Sequence, residues 1–269
     1  MEIKLTDIVV RRNHENYFDH LNMELDHSAI YGLMGKRKTL LLELIDAIVK
    51  PDKGTIQIKN DVVSTDTLLK VRKNVALIAQ DASTQFFEET IAEEMKFIVQ
   101  NLDYYHKNIE KKMKDALIMV GLDESYFTKK IMSLSTSEIK RLQIAVGLLV
   151  NPKLILLDEP FVDLDFKSKR NLMKLIRLLK ERYHKTILIA SNQSDLLYPL
   201  VDEMLVLKEG KIHHFENATK FFQDESLLQE YEIPVPDLVR FTLLAKKKKI
   251  KLSFHRDIRD LIKDVYKHV

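Results

Sequence analysis

The sequence contains no cysteine, which excludes disulfides and thiolate metal sites and is compatible with a reducing compartment. Nor does one charge dominate: 43 basic against 40 acidic side chains leave a net of +3. A generic nucleic-acid binder would carry a clear basic surplus, so no direct nucleic-acid role is expected. Long apolar runs are missing as well. No stretch approaches the roughly 18 apolar residues of a membrane span, and "MEIKLTDIVVRR" has no apolar core of signal-peptide length. The expectation is a soluble protein, with any membrane role exercised through a partner. What the chain does have is core-forming material: 45% hydrophobic content in 269 residues, enough for one large domain or one domain plus an appendage.

Short β-rich runs alternate with helical patterns, which predicts an α/β domain with a largely parallel sheet. "EIKLTDIVV" and "HLNMELD" read as early strands, and "HSAIYGLMG" as a buried strand entering a glycine turn. "KTLLLELIDAIV" has helical spacing, with Pro51 and Gly54 beyond its end. "TIQIKN", "VALIAQ", "KLILLDEP" and "TILIAS" read as further strands, and "SKRNLMKLIRLLKERY" as an amphipathic helix. Between about residues 90 and 150 the pattern is helical and highly charged. "EMLVLKEGKIHHFE" is a hairpin signal with Glu-Gly at the turn. Asn217 reads as the cap of "ATKFFQD", after which short helices break at Pro234 and Pro236. The Lys246–Lys249 run is read as a solvated helix end in preference to an anion-binding patch.

"LILLDEP" carries the strongest chemical signal. A buried strand ending in Asp158 and Glu159 sets two carboxylates at its carboxyl edge, where α/β sheets bind ligands. One suits a Mg²⁺ shell and the other can orient or deprotonate a water; the bland reading is an acidic turn. "GLMGKRKTLLLELIDAIVKPDKG", residues 32–54, has the strand end, Lys-Thr pair and helix of a phosphate-binding turn. It lacks the glycines that wrap phosphates.

"GLMG…KT", "IAQD", "LSTSE", "LLDEP", "VDLD" and "IASNQ", in this order and at these separations, resemble the nucleotide-binding subunit of ABC transporters over roughly residues 1–216. "QDASTQFFEETIAEEMKF" and "EIPVPDLVRFTLLAKKKKIKLS" are similar to segments of energy-coupling factor transporter ATPases. The resemblance implies an α/β, ABC-type P-loop NTPase fold: a mostly parallel core sheet, an antiparallel β subdomain and a helical subdomain at about 90–150. Residues 217–269 would form a small C-terminal helical extension. It also implies ATP and Mg²⁺ as ligands, pairing with a homologous ATPase subunit as homo- or heterodimer, and docking to a transmembrane transporter subunit at the cytoplasmic face of the membrane.

Residue by residue, the resemblance puts Lys38 on the phosphates and Thr39 on Mg²⁺, with Gly35, Lys36, Arg37 and Leu40 completing the turn. Asp158 and Gln80 join Thr39 around the metal, Glu159 is the base, Gln80 also senses the membrane partner, and Asn192 stands where the family has a histidine. Ser135, Thr136, Ser137 and Glu138 occupy the signature that faces the partner's nucleotide, and Asp165 the D-loop. Tyr17 is a candidate adenine-stacking aromatic, with a core or surface tyrosine as the alternative.

Two registers fit the turn. In one, Gly35 ends the strand and only Lys36 and Arg37 precede Lys38, where the family has a longer, glycine-containing loop. In the other, G-x-x-x-x-G-K-[ST] starts at Gly32 with Arg37 in place of glycine, which consumes the end of the strand. The shorter loop is preferred, and its cations would offset lost backbone donors. Thr136 and Ser137 replace the signature glycines, while Ser135-x-x-Glu138 is also a capping box. An amide at 192 can hydrogen-bond but cannot share a proton as histidine does. These departures imply impaired hydrolysis. The alternative is a non-catalytic pseudo-ATPase that pairs with a competent homologue.

Overall fold

Two kinds of strand follow from two burial patterns. "LILLD" and "TILIA" are buried along their whole length, as strands covered on both faces must be, whereas "IKLTDIVVRR" mixes buried and exposed positions. The computed structural model describes residues 2–12, 15–81, 85–104 and 107–267. Its first half runs β1 (Ile3–Arg12), β2 (Glu15–Leu25), β3 (Ile30–Gly35), α1 (Lys38–Ile45), β4 (Lys53–Ile58), β5 (Asp61–Val62), α2 (Leu68–Asn74) and β6 (Val75–Ile78). The helical layer follows as α3 (Ile91–Asn101), α4 (Ile109–Met119) and, after two short 3₁₀ turns, α5 (Thr136–Leu148). Then come β7 (Leu154–Asp158), α6 (Phe166–Glu181), β8 (Thr186–Ala190), α7 (Ser194–Leu197), β9 (Glu203–Lys208) and β10 (Lys211–Phe215). The chain closes with α8 (Ala218–Gln223), α9 (Glu225–Glu230), α10 (Asp237–Lys247) and α11 (Ile258–Val265).

Among the described residues the strands form two sheets, ordered β2-β1-β4-β5 and β10-β9-β3-β8-β7-β6. The first is antiparallel. The second is parallel except for the β9–β10 hairpin, whose turn places Glu209 and Gly210 at positive φ as a two-residue hairpin loop requires. Alternation assigns the two faces of the parallel sheet. Leu154, Leu156 and Leu188 face the core shared with the antiparallel sheet and α1. Ile155, Leu157, Ile187 and Ile189 face the larger core built with the helical layer. That larger core continues into Phe221, Phe222 and Leu228 of α8 and α9 and Val239 of α10, and Asn217 caps α8 through the Lys220 amide at 2.9 Å.

The helix predicted over Lys38–Val49 stops at Ile45. Asp46 caps it, Ala47 turns left-handed at φ 59°, and the Ala47 and Ile48 amides donate to the Leu44 and Glu43 carbonyls. That is a Schellman stop with alanine in the place usually held by glycine.

Candidate functional site

β3 brings its carboxyl end beside those of β7 and β8: Leu33 pairs with Ala190, and Ala190 with Asp158. Gly32 lies inside the strand, where a Cβ would stand 2.5 Å from the Met204 sulfur. Gly35 ends the strand at φ 111°, with a virtual Cβ only 2.2 Å from the Leu207 carbonyl oxygen, so this position demands glycine. Two residues, Lys36 and Arg37, connect it to α1, and Arg37 is left-handed at φ 65°. Lys38 and Thr39 therefore open the helix at the sheet's edge, with Leu40 behind them.

Four predicted side chains meet there. The Thr39 hydroxyl donates to Asp158 Oδ2 at 2.7 Å, and the Lys38 ammonium lies 3.1 Å from Glu159 Oε1. Glu159, at φ 40°, also accepts from the Ser191 hydroxyl at 2.9 Å and from the Asn192 amide at 3.1 Å. Nothing in the sequence marks Ser191 for this contact except its place beside Asn192 in "IASNQ". Asp158 Oδ1 is buried and has no hydrogen-bond partner among the described residues. Burial raises the Asp158 carboxyl pKa, with the Thr39 hydroxyl and Lys38 opposing that and Glu159 reinforcing it.

A buried, open carboxylate oxygen beside a hydroxyl fits a hard divalent cation such as Mg²⁺. No group of three or more His, Cys, Asp or Glu side chains among the described residues could hold a metal, so a cation here would draw further oxygens from a ligand or water. A cleft of about 810 Å³ adjoins the turn, lined among others by Tyr17, Gly35, Lys36, Arg37 and Asn192. It offers cations and an aromatic face to an anionic ligand.

The profile of the ABC transporter family matches residues 18–162. The chain belongs to the ABC transporter family. It is 32% identical over 245 residues, 89% of this chain and 85% of the relative, to the energy-coupling factor transporter ATP-binding protein EcfA3 of Oenococcus oeni. Among solved structures, cbiO1 of Clostridium perfringens, described as part of the ABC transporter complex cbiONQ, aligns with a TM-score of 0.74 at 24% identity, covering 90% of this chain and 98% of that one. A dimeric ATP-binding cassette bound to ADP and Pi aligns with a TM-score of 0.71 at 23% identity, covering 80% and 98%. The fold is that of the ABC ATPases.

The residues read in the sequence as the signature, Ser135 to Glu138, lie elsewhere, at the start of α5. Ser135 and Glu138 form a reciprocal capping box: the Glu138 amide donates to Ser135 Oγ, and Glu138 Oε2 accepts from the Ser135 amide and hydroxyl at 2.8 and 2.7 Å. Glu138 also accepts from the Tyr126 hydroxyl. The Ser135 hydroxyl, the Tyr126 hydroxyl and the Ser135 amide bring its pKa down to about 2. Thr136 is exposed, and the Ser137 hydroxyl lies 2.9 Å from that of Ser168 on α6. Asp165 caps α6 through the Ser168 amide at 2.7 Å.

Gln80 stands exposed just beyond β6. Its backbone carbonyl and that of Ala79 each accept from the Lys140 ammonium at 3.0 Å. Burial lowers the Lys140 pKa. Sequence reasoning missed this lysine, whose partners lie about 60 residues away and leave no local pattern. Residues 82–84 of the energy-coupling factor-like stretch lie outside the described residues. Beyond them the Phe87 and Glu88 amides donate to the buried Glu94 carboxylate at 2.8 and 2.9 Å, and Phe87 is 71% exposed.

Proposed function

We propose that this chain is the ATP-binding subunit of an energy-coupling factor-type membrane transporter. On this reading it sits at the cytoplasmic face of a transmembrane subunit and is paired with a homologous ATPase subunit. The observation that carries the reading is the meeting of Lys38 and Thr39 with Asp158 and Glu159 at the carboxyl edge of the parallel sheet. Lys38 would bind phosphate oxygens, Thr39 and Asp158 would hold the cation with Gln80 approaching it, and Glu159 would orient and deprotonate a water. Mg²⁺, when bound, would neutralise developing phosphate charge. Ser135–Glu138 bond within their own chain to Tyr126 and Ser168, which leaves their outward face to a second subunit.

Turnover by this chain alone is proposed to be slow. The two-residue connection at Lys36 and Arg37 supplies few backbone donors to phosphate, and Glu159 is already held by Lys38, Ser191 and the Asn192 amide. A non-catalytic subunit completing a site with a competent homologue is the second reading, favoured by that same short connection. Nucleotide titration with and without Mg²⁺, followed by a turnover assay of the purified chain, tests both. Absence of Mg²⁺-dependent ATP binding would sink the first reading.

A further inference from the structure

Arg37 holds a backbone conformation suited to glycine, at φ 65°, and its side chain is held by Tyr17 and Glu15. Its guanidinium lies 3.9 Å from the centroid of the Tyr17 ring, and its Nη2 lies 3.1 Å from Glu15 Oε2. Tyr17 and Arg37 both line the cleft of about 810 Å³ that also contains Gly35, Lys36 and Asn192. An aromatic face beside a cationic turn can stack either a guanidinium or a nucleobase, since both are planar and both interact with the π cloud. Here the guanidinium has the face, and Glu15 fixes it there.

Resting on the nucleotide reading above, we propose that Arg37 is a specificity-determining residue that occupies the Tyr17 face in place of a base. A nucleotide must displace it, whereas a ligand of phosphates alone need not. The chain therefore discriminates less between ATP and a bare polyphosphate than an uncovered Tyr17 would allow. Breaking one partly exposed cation–π contact and one surface ion pair corresponds to about threefold to tenfold in affinity.

The test compares ATP with inorganic tripolyphosphate by calorimetric titration of the full chain in Mg²⁺. Arg37→Ala and Arg37→Gly are expected to tighten ATP by about threefold to tenfold and to leave tripolyphosphate unchanged or weaker. Tyr17→Ala in the Arg37→Ala background is expected to cancel the gain, as a double-mutant cycle requires of coupled residues. Equal weakening of ATP and tripolyphosphate in Arg37→Ala would make Arg37 a phosphate ligand and overturn the proposal. A gain that survives Tyr17→Ala would overturn it too. If ATP bound to no form while tripolyphosphate bound to all, the nucleotide reading itself would fall, and the proposal with it.

Discussion

The Thr39 hydroxyl donates a hydrogen bond to Asp158 Oδ2 across 2.7 Å, joining the first turn of α1 to the end of β7. The other Asp158 oxygen is buried and unpartnered among the described residues, so ionising this carboxylate in the ligand-free chain is unfavourable. Its folded pKa is raised above the ordinary value of 3.8. With that sign, its ionisation takes stability away as pH rises past the unfolded value. Asp158→Asn is expected to raise the thermal midpoint of the ligand-free chain at pH 8 and to abolish stabilisation by Mg²⁺ with ATP. Thermal melts with and without Mg²⁺ check it; a destabilised variant that keeps the Mg²⁺ response would contradict it.

The isolated chain is expected to turn ATP over very slowly, and Glu159→Gln to change that rate by no more than about twofold. One missing preorganised donor costs on the order of 3 kcal/mol, roughly a hundredfold in rate, and the connection at Lys36 and Arg37, the occupied signature and Asn192 would act together, though not additively. A robust rate in the purified chain, abolished by Glu159→Gln, would show that the basic turn substitutes for the missing glycines.

Phe87 is 71% exposed and tilts against Phe97, centroids 5.4 Å apart, while Glu94 pins the backbone on either side of that contact. Helix-in-groove docking uses such presented aromatics. Phe86→Ala with Phe87→Ala is expected to weaken co-purification with the transmembrane subunit while ATP titration stays within about twofold of the unaltered chain. Equal loss of both, or of neither, would count against this surface.

Asp46 gives a pH dependence distant from the cleft. Burial pushes its carboxyl up to about 7, with Arg72 opposing, and it caps the carboxyl end of α1, where a negative charge is disfavoured. Because the folded pKa lies above the unfolded value of 3.8, stability falls as pH rises from about 4 and is lowest above about 7. Asp46→Asn is expected to raise the thermal midpoint at pH 8 and to do so much less at pH 5. Equal gains at both would mean that the charge is not the cause.

Elements whose signal is local were legible in the sequence. "LILLDEP" announced a buried strand with its carboxylates, because a two-sided apolar run ending in acid has few other structures open to it. Ser135 and Glu138 announced their capping box. The end of α1 was read too late because Ala47 took the left-handed position, and alanine gives no stop signal. Contacts across long separations were invisible: Ser191 on Glu159 and Lys140 on the Gln80 carbonyl depend on how layers stack. Arg37 over Tyr17 is a choice between solvent and an aromatic face that no spacing encodes.

Lys140 joins two layers of the fold. Its ammonium is fastened to the carbonyls of Ala79 and Gln80, and one helical turn further on Gln143 reaches Gln85 at 2.6 Å, so α5 is riveted to both ends of the segment that follows β6. Those two tethers tie the residues that leave β6 to the same helix whose first turn carries Ser135 and Glu138.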